Sequence, residues 1–297
     1  FSSRRRHTRY ISVTGVQTCA LPIYGFAAEG ALKLSLLPLE IAAPKRTERF
    51  SFPGKVKPVR LPKGETGWAV ADVGHHQIVL LDREGREVVR YGSGHAGFDD
   101  GPMRGASFRD PQGLAADDTT LYVADTGNHA IRAIDLATGS VETLVGTGKR
   151  GRILGGPSEG RGTALASPWD IVLVDGVLAF ANAGTHQLGA YDPAKGIVAR
   201  LAGSGAEALT DGLAHEAALA QPSGLAYDPE TGRIFFADSE TSSIRFLQLG
   251  DEHRVTTLVG AGLFDFGHRN GSFTTARLQH PLGLSVADNE IVVADSY

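Results

Sequence analysis

The stretch LYVADTGNHAIRAID (residues 121–135) consists of two short runs rich in Ala, Ile, Leu and Val on either side of a Thr-Gly-Asn-His turn. Short apolar runs bounded by Gly, Asn and Asp are typical of β-strands joined by a tight turn. Variants of this stretch recur along the chain, and their Ala-Asp or Ala-Asn steps end at Asp72, Asp125, Asn182, Asp238 and Asp295. This nearly constant spacing of roughly 55 residues indicates a protein built from a regular repeat.

Each repeat continues in the same order. A second turn and strand follow, then a pair of glycines and a longer link that leads to a proline. The prolines start the runs PQGLA (111–115), PWDIV (168–172), PSGLA (222–226) and PLGLS (281–285). Four short antiparallel strands per repeat, at a fixed period, favour a β-propeller, whose blades bury their faces against each other. We therefore predict an all-β propeller over residues 51–297.

The segment LYVADTGNHAIRAIDLATG (121–139) resembles the NHL repeat, which is named for an Asn-His-Leu run and carries Asn128, His129 and Ala130 here. Finer features resemble the NHL repeat-containing protein 2 family: SPWD (167–170), AGTHQ (183–187), GLFDFG (262–267) and ARLQHPLG (276–283). This resemblance implies a six-bladed NHL propeller preceded by a thioredoxin-like domain. Since the sequence stops part-way through a fifth repeat, we expect about 4.5 of these blades, as in a fragment. No redox function is implied, because the thioredoxin motif has no matching positions here.

The stretch FSSRRRHTRYISVTGVQTCALPI (1–23) differs from everything that follows it. It contains four arginines, no acidic residue and the only cysteine, Cys19. A signal peptide, a twin-arginine signal and a nucleic-acid arm are possible interpretations, but no continuous apolar region follows the arginines. The stretch resembles a common sequencing adapter translated as if it were coding DNA, and we interpret residues 1–23 as non-native. Residues 24–50 are interpreted as a linker that is the remnant of an upstream domain.

The composition of the remaining chain excludes several classes of function. Residues 24–297 contain 25 basic and 33 acidic residues, and this acidic balance argues against a nucleic-acid partner. They contain no cysteine, so they can form no disulfide and no CxxC pair. No apolar run reaches the roughly 18 residues of a membrane helix, so we expect no membrane partner. We expect a cytoplasmic location.

The repeated histidines are the most obvious candidates for chemistry. His76, His129 and His186 each lie four residues after an Asp or Asn of the repeat. They could form a metal triad, but equivalent positions in successive blades are held apart by the rotation of the propeller. We interpret them as turn stabilisers, with the Asp or Asn four residues earlier as the local hydrogen-bond partner of the turn. We predict no catalytic residue, no metal site and no cofactor.

Departures from the repeat indicate where a partner could bind. The residue after each proline begins the innermost strand at the mouth of the channel, and glycine follows it in three repeats. The third repeat has Trp169 and Asp170 instead, a large aromatic residue beside a carboxylate with no evident partner. The predicted binding residues are Trp169, Asp170, Phe264, Asp265, Phe266, Arg109 and His280. The alternative is structural: Trp169 packs between blades and Asp170 caps a turn.

Two classes of function are compatible with this pattern. The first is a non-enzymatic scaffold that presents one face of the propeller to a protein or peptide. The second is a propeller enzyme, a metal-dependent lyase or hydrolase with its site in the channel. The enzyme needs several histidines or carboxylates pointing into the channel, and the starts of the inner strands supply only Asp170. The sequence therefore favours the scaffold.

Overall fold

The computed structural model of the chain describes residues 49–287 and 290–296, which form four complete blades and half of a fifth. The interpretation of residues 1–23, and nearly all of that of residues 24–50, falls outside this part. Within it, no helix has the length and apolarity needed to cross a membrane. The prediction of an all-β propeller of repeated blades is confirmed.

The strands follow the repeat. Blade 1 contains β1 (Pro53–Arg60), β2 (Thr66–Asp72), β3 (Gln77–Leu81) and β4 (Glu87–Tyr91). Blade 2 contains β5 (Gly101–Pro102), β6 (Pro111–Ala116), β7 (Thr120–Asp125), β8 (Ala130–Asp135) and β9 (Ser140–Val145). Blade 3 contains β10 (Ser158–Glu159), β11 (Pro168–Val174), β12 (Val177–Asn182), β13 (Gln187–Asp192) and β14 (Ile197–Ala202). Blade 4 contains β15 (Gly212–Leu213), β16 (Pro222–Asp228), β17 (Arg233–Asp238), β18 (Ser243–Gln248) and β19 (Arg254–Val259), and the half blade contains β20 (Pro281–Ala287) and β21 (Glu290–Asp295).

Blades 2 to 4 have one more strand than the sequence predicts. In blade 2 the order from the outside inwards is β5, β9, β8, β7, β6, and blades 3 and 4 repeat this order. The extra strand is two residues of the preceding link that pair with the outermost long strand. At Gly101 and Gly212 it begins with a φ of 142°, a conformation that favours glycine, and the pairing covers the outer edge of the blade.

The innermost strand of the first blade was not predicted from the sequence. Strand β1 begins at Pro53, which precedes Pro111 by about one repeat and has the same place in its blade. Strand β1 pairs with β2 in the antiparallel register that β6 makes with β7. Lys55 therefore occupies the position in blade 1 that Gly113 has in blade 2 and Asp170 has in blade 3.

The core lies between blades. Ile78 and Leu80 of blade 1 are fully buried in a cluster with Phe108, Leu114 and Leu121 of the next blade and its link. The place of the apolar run 78–81 in the first repeat predicts an open flank, but Ile78, Val79 and Leu80 are all fully buried. Successive side chains of a strand point to opposite faces, so half of each run faces the neighbouring blade. The exposed apolar side chains of blade 1 are Val56, Trp68 and Val88.

Candidate functional site

The links that lead into the innermost strands and the turns that follow the second strands lie on one face of the propeller. This face is here called the link face. The innermost strand of a blade starts where its second strand ends, as shown by the pairing of Pro111 with Asp125. The second strand then runs into a single 3-10 turn, which ends in a left-handed residue. These turns are Val73–His75, Thr126–Asn128, Ala183–Thr185 and Ser239–Thr241, followed by His76, His129, His186 and Ser242.

The repeated Asp or Asn anchors the link that enters its own blade. The Arg109 backbone N–H donates to Asp125 Oδ1 at 2.7 Å, two residues before Pro111. The same bond recurs in every blade: Ser51 to Asp72, Ala166 to Asn182, Ala220 to Asp238 and Gln279 to Asp295. These side-chain oxygens are therefore committed to holding the links.

The repeated histidines join neighbouring blades. His129 Nδ1 accepts a hydrogen bond from the Ser167 backbone N–H at 3.0 Å, in the link to blade 3. The equivalent bonds run from Asp110 to His76, from Gln221 to His186 and from His280 to Ser242 Oγ. The predicted local partner of the turn is found, since Asp72 bonds His75, Asp125 bonds Asn128 and Asn182 bonds Thr185. The repeated histidines themselves act between blades, which the sequence did not predict. Each histidine has a left-handed backbone conformation at the end of its turn, and its ring binds the link to the next blade.

The surroundings of His129 keep its ring neutral. Burial lowers the pKa of His129, and the nearby guanidinium groups of Arg150 and Arg109 lower it further. A neutral imidazole can accept at Nδ1, whereas an imidazolium cannot. Arg109 and Arg150 are both exposed, so this boundary between blades 2 and 3 presents positive charge on the link face.

Two arginines are completely buried in blades 2 and 4. Arg132 Nη1 donates to Asp125 Oδ2 at 2.8 Å, and its Nη2 donates to Asp100 Oδ1 at 2.8 Å. Arg245 makes the same contacts with Asp238 and Asp211. The carboxylates of Asp100 and Asp211, at the start of their blades, are therefore bound within those blades. Among the residues that the structure describes, no group of three or more His, Cys, Asp or Glu is placed to hold a metal ion.

The innermost strands bring a lysine and a carboxylate together at the channel. Lys55 Nζ donates to Asp170 Oδ2, joining blades 1 and 3. Asp170 also accepts from the backbone N–H of Ile171 and of Leu225, both at 2.9 Å. Asp170 is only 2% exposed. The expectation that this carboxylate is unpaired is wrong, because the strand β1, which was not predicted, supplies its cation.

Gly113 allows the innermost strand of blade 2 to approach Asp170 closely. A Cβ at Gly113 would lie 2.4 Å from Asp170 Cα, closer than real Cβ atoms approach. The innermost strands of blades 2 and 3 therefore touch through their backbones at this level. The position requires glycine wherever the next strand comes this close.

A cavity of about 300 Å³ lies at this end of the channel. Its lining includes the side chains of Lys55, Gln112, Trp169, Asp170 and Leu282. Trp169 is partly exposed and also packs against the apolar cluster between blades 3 and 4. Trp169 therefore packs between blades, as the structural alternative states, and also lines the cavity.

The other predicted binding residues do not line this cavity. Arg109 and His280 lie on the links just before Pro111 and Pro281. In the fourth link, Phe264 is 90% exposed and Phe266 is 56% exposed. Asp265 of that link is bound by Arg277, whose Nε lies 2.6 Å from Asp265 Oδ1. The structure thus brings together Trp169 and Asp170, adds Lys55, and leaves the other five on the surface or on the links. The spacing of Pro53 could have identified Lys55 from the sequence.

Comparison with known proteins agrees with this architecture. The NHL repeat family model matches residues 108–134. NHL repeat-containing protein 2 of Gallus gallus is 38% identical over 275 residues, and the alignment covers 83% of this chain and 37% of the relative. The Homo sapiens protein of the same name is 37% identical over 275 residues with the same coverage. Protein SUPPRESSOR OF QUENCHING 1, chloroplastic, of Arabidopsis thaliana is 37% identical over 265 residues, covering 84% of this chain and 25% of that protein.

Solved structures resemble the chain in fold. A structural genomics protein of unknown function from Bacteroides thetaiotaomicron has a TM-score of 0.59 at 18% identity, covering 80% of this chain and 56% of that one. An auxiliary nutrient binding protein from Bacteroides ovatus has a TM-score of 0.59 at 17% identity, covering 84% and 58%. The chain spans well under half the length of the curated relatives it matches. It belongs to the NHL-repeat β-propellers and is related to NHL repeat-containing protein 2.

Proposed function

We propose that the chain is a non-enzymatic interaction scaffold that binds a protein or peptide segment at the cavity beside Trp169. The NHL propeller fold supports a scaffold at a general level. The observation that carries the proposal is the cavity of about 300 Å³ on the link face, with Trp169 in its wall and the Lys55–Asp170 pair in its lining. Tryptophan is enriched among the residues that contribute most to protein interfaces.

The cavity favours one apolar or aromatic side chain of the partner. Its volume accepts a single side chain, and Trp169 and Leu282 offer apolar contact. The only charged groups in its lining, Lys55 and Asp170, already bind each other. A charged side chain entering the cavity would have to compete with this pair and lose its own hydration.

The exposed charges on the link face beside blade 3 favour a partner with acidic residues. Arg109 and Arg150 are exposed on the link face beside blade 3, and no carboxylate within the described ranges pairs with either. Complementary charge at the rim of an interface raises the association rate and selects among partners. We therefore propose an acidic peptide segment with a central aromatic or apolar residue.

The repeated histidines and aspartates are already used in structural hydrogen bonds, and this supports a non-enzymatic role. The Nδ1 atoms of His76, His129 and His186 accept backbone N–H groups, and the repeated Asp residues hold the links. In the full-length protein we propose that the propeller is joined to a thioredoxin-like domain. Sequencing the complete reading frame tests this arrangement, since an upstream CxxC-bearing domain is expected.

Peptide binding can be tested with one matched pair of tryptophan variants. A defined library of fluorescent peptides, each with one aromatic residue flanked by either acidic or basic residues, is titrated with the full chain. We expect saturable binding of acidic peptides, weakened at least tenfold by Trp169→Ala and left intact by Trp68→Ala, since Trp68 is exposed on blade 1. The double variant Arg109→Gln/Arg150→Gln should weaken acidic peptides only. Equal effects of the two tryptophan variants, or a preference for basic peptides, would contradict the proposal.

A further inference from the structure

At two equivalent levels of the inner strands, positive side chains outnumber negative ones. Two residues after the opening proline, the inner strands carry Lys55, Gly113, Asp170, Gly224 and Gly283. Two residues further along, they carry Lys57, Ala115, Val172, Ala226 and Ser285. Three of these ten positions are charged, and two of the three are lysines. At these two levels the inner strands of the described blades therefore carry one positive charge more than negative charges.

That charge is on Lys57. Lys55 is bound to Asp170, whereas the side chain of Lys57 has no hydrogen bond or ion pair with any residue in the described part of the chain. Lys57 is partly buried. Burial lowers the pKa of Lys57, the charge of Lys55 lowers it further, and Asp170 opposes both effects. An ammonium group placed in an apolar site without a partner is costly, and a bound anion removes that cost.

Lys57 faces a second cavity, of about 280 Å³. The walls include Ala115, Val172 and Leu173 from blades 2 and 3, and Tyr227 from blade 4. A water molecule in the liquid takes up about 30 Å³, so this space suits a molecule of several heavy atoms. The cavity thus combines one cationic group with several apolar side chains in its walls. It shares no lining residue with the cavity beside Trp169.

We infer that this second cavity binds a small organic carboxylate. The carboxylate group pairs with the Lys57 ammonium group, and the short alkyl part packs against Ala115, Val172 and Leu173. A monoanion matches the single ammonium group in the lining of this cavity. An inorganic anion would leave the apolar walls without contact, and a neutral alcohol would leave Lys57 without a counterion.

Calorimetric titration of the full chain with sodium pentanoate tests this inference. Pentan-1-ol and inorganic phosphate, at the same ionic strength, serve as the comparison ligands. We expect saturable binding of pentanoate, weakened at least tenfold by Lys57→Met, which keeps the aliphatic part of the side chain. Lys63→Met is the matched control, because Lys63 is exposed, and it should bind like the unchanged chain.

A second measurement covers the case in which Lys57→Met does not fold. The lysines of the unchanged chain are labelled by reductive ¹³C-methylation, and Lys57→Arg identifies the Lys57 resonance by its disappearance. Pentanoate should shift that resonance, and Trp169→Ala should leave the shift unchanged. Absence of saturable binding, unchanged affinity in Lys57→Met, a stationary Lys57 resonance, or equal binding of phosphate would each overturn the inference. The peptide-binding proposal would stand in every one of these cases, since it depends on different residues.

Discussion

Asp125 and Arg132 form a completely buried ion pair within blade 2, with Nη1 2.8 Å from Oδ2. Blade 4 repeats it with Asp238 and Arg245. Blade 3 has Asn182 at the position of the Asp, and at the position of the arginine it has a glycine. Blade 1 has Val79 at the arginine position, and there Arg90 of β4 lies 2.8 Å from the buried Asp72. A buried carboxylate is thus present in each of these blades where a guanidinium reaches it, and blade 3 has the neutral amide. The reason is physical, since either charge alone in this core would be strongly destabilising.

Replacing Arg132 alone should therefore strongly destabilise the fold. We expect Arg132→Met to lower the free energy of unfolding by about 3–5 kcal/mol, because Asp125 remains buried without its cation. The double variant Asp125→Asn/Arg132→Met should lose less than the sum of the two single variants. Denaturant unfolding of all three measures the coupling. Arg104→Met, at an exposed arginine, is the control, and additive effects would contradict the pairing argument.

The histidine bonds between blades should make stability depend on pH. Burial and the two arginines hold the folded-state pKa of His129 below its ordinary value of 6.5. As the pH falls through 6.5 the unfolded chain takes up this proton first, so the stability present above that pH is lost on acidification. His129→Asn keeps an acceptor at a left-handed position and removes the titration. Its stability should fall less than that of the unchanged chain between about pH 7 and about pH 5.

The comparison of these two curves isolates the histidine. Burial raises the pKa of Asp125 to about 6, so protonation of Asp125 contributes with the opposite sign in the same range. That contribution is common to both proteins and cancels in their difference. Thermal melts at several pH values supply the curves. Parallel curves would show that the His129 bond to Ser167 does not stabilise the blade boundary.

The contact between innermost strands predicts that Gly113 cannot be replaced. Gly113→Ala would place a Cβ 2.4 Å from Asp170 Cα, so the strands must separate. We expect a loss of about 1–3 kcal/mol in the free energy of unfolding, as in other overpacked cores. Gly156→Ala is the matched control, because nothing lies within 4 Å of its Cβ. Equal stabilities of the two variants would show that the strands yield freely.

Two apolar faces of the described blades predict self-association. On blade 1, Trp68 and Val88 are 43% and 46% exposed, and on the half blade Val292 is 59% exposed. Apolar groups gathered on blade faces are driven to associate. We expect concentration-dependent oligomers in light scattering, reduced by Trp68→Lys or Val292→Lys. A monodisperse monomer of the unchanged chain at all concentrations would contradict this expectation.

Much of the architecture follows from local features of the sequence. The strand runs, the turns at the repeated Asp and His, and the regular period predict blades without any knowledge of contacts. The repeat pattern is weaker in strand β1, whose residue types differ from those of the equivalent strands. Strand β1 begins with Pro53 and contains lysines and prolines in place of the small and apolar residues of β6, so its membership of the repeat was missed.

The site depended on contacts that no local pattern contains. Sequence comparison of the repeats singled out Trp169 and Asp170, because a residue that breaks a repeat is visible along the chain. It assigned Asp170 no partner, and it grouped Phe264 and Phe266 with the mouth although both are exposed on the fourth link. A long link can leave the channel in several directions, and its own sequence does not predict which direction it takes.

Local sequence features specify the fold class, the number of repeats and the turn at each repeated Asp or Asn, since strand alternation and turn chemistry act between residues close along the chain. The bond from the repeated histidine to the next link, 38 residues away for His129 and Ser167, does not follow from them. The meeting of Lys55 with Asp170, 115 residues away, and the lack of a counterion for Lys57 arise only in the folded chain. Such pairs are set by the curvature with which successive blades close around the channel. That curvature is the sum of all the blade contacts and is encoded in no single stretch of the sequence.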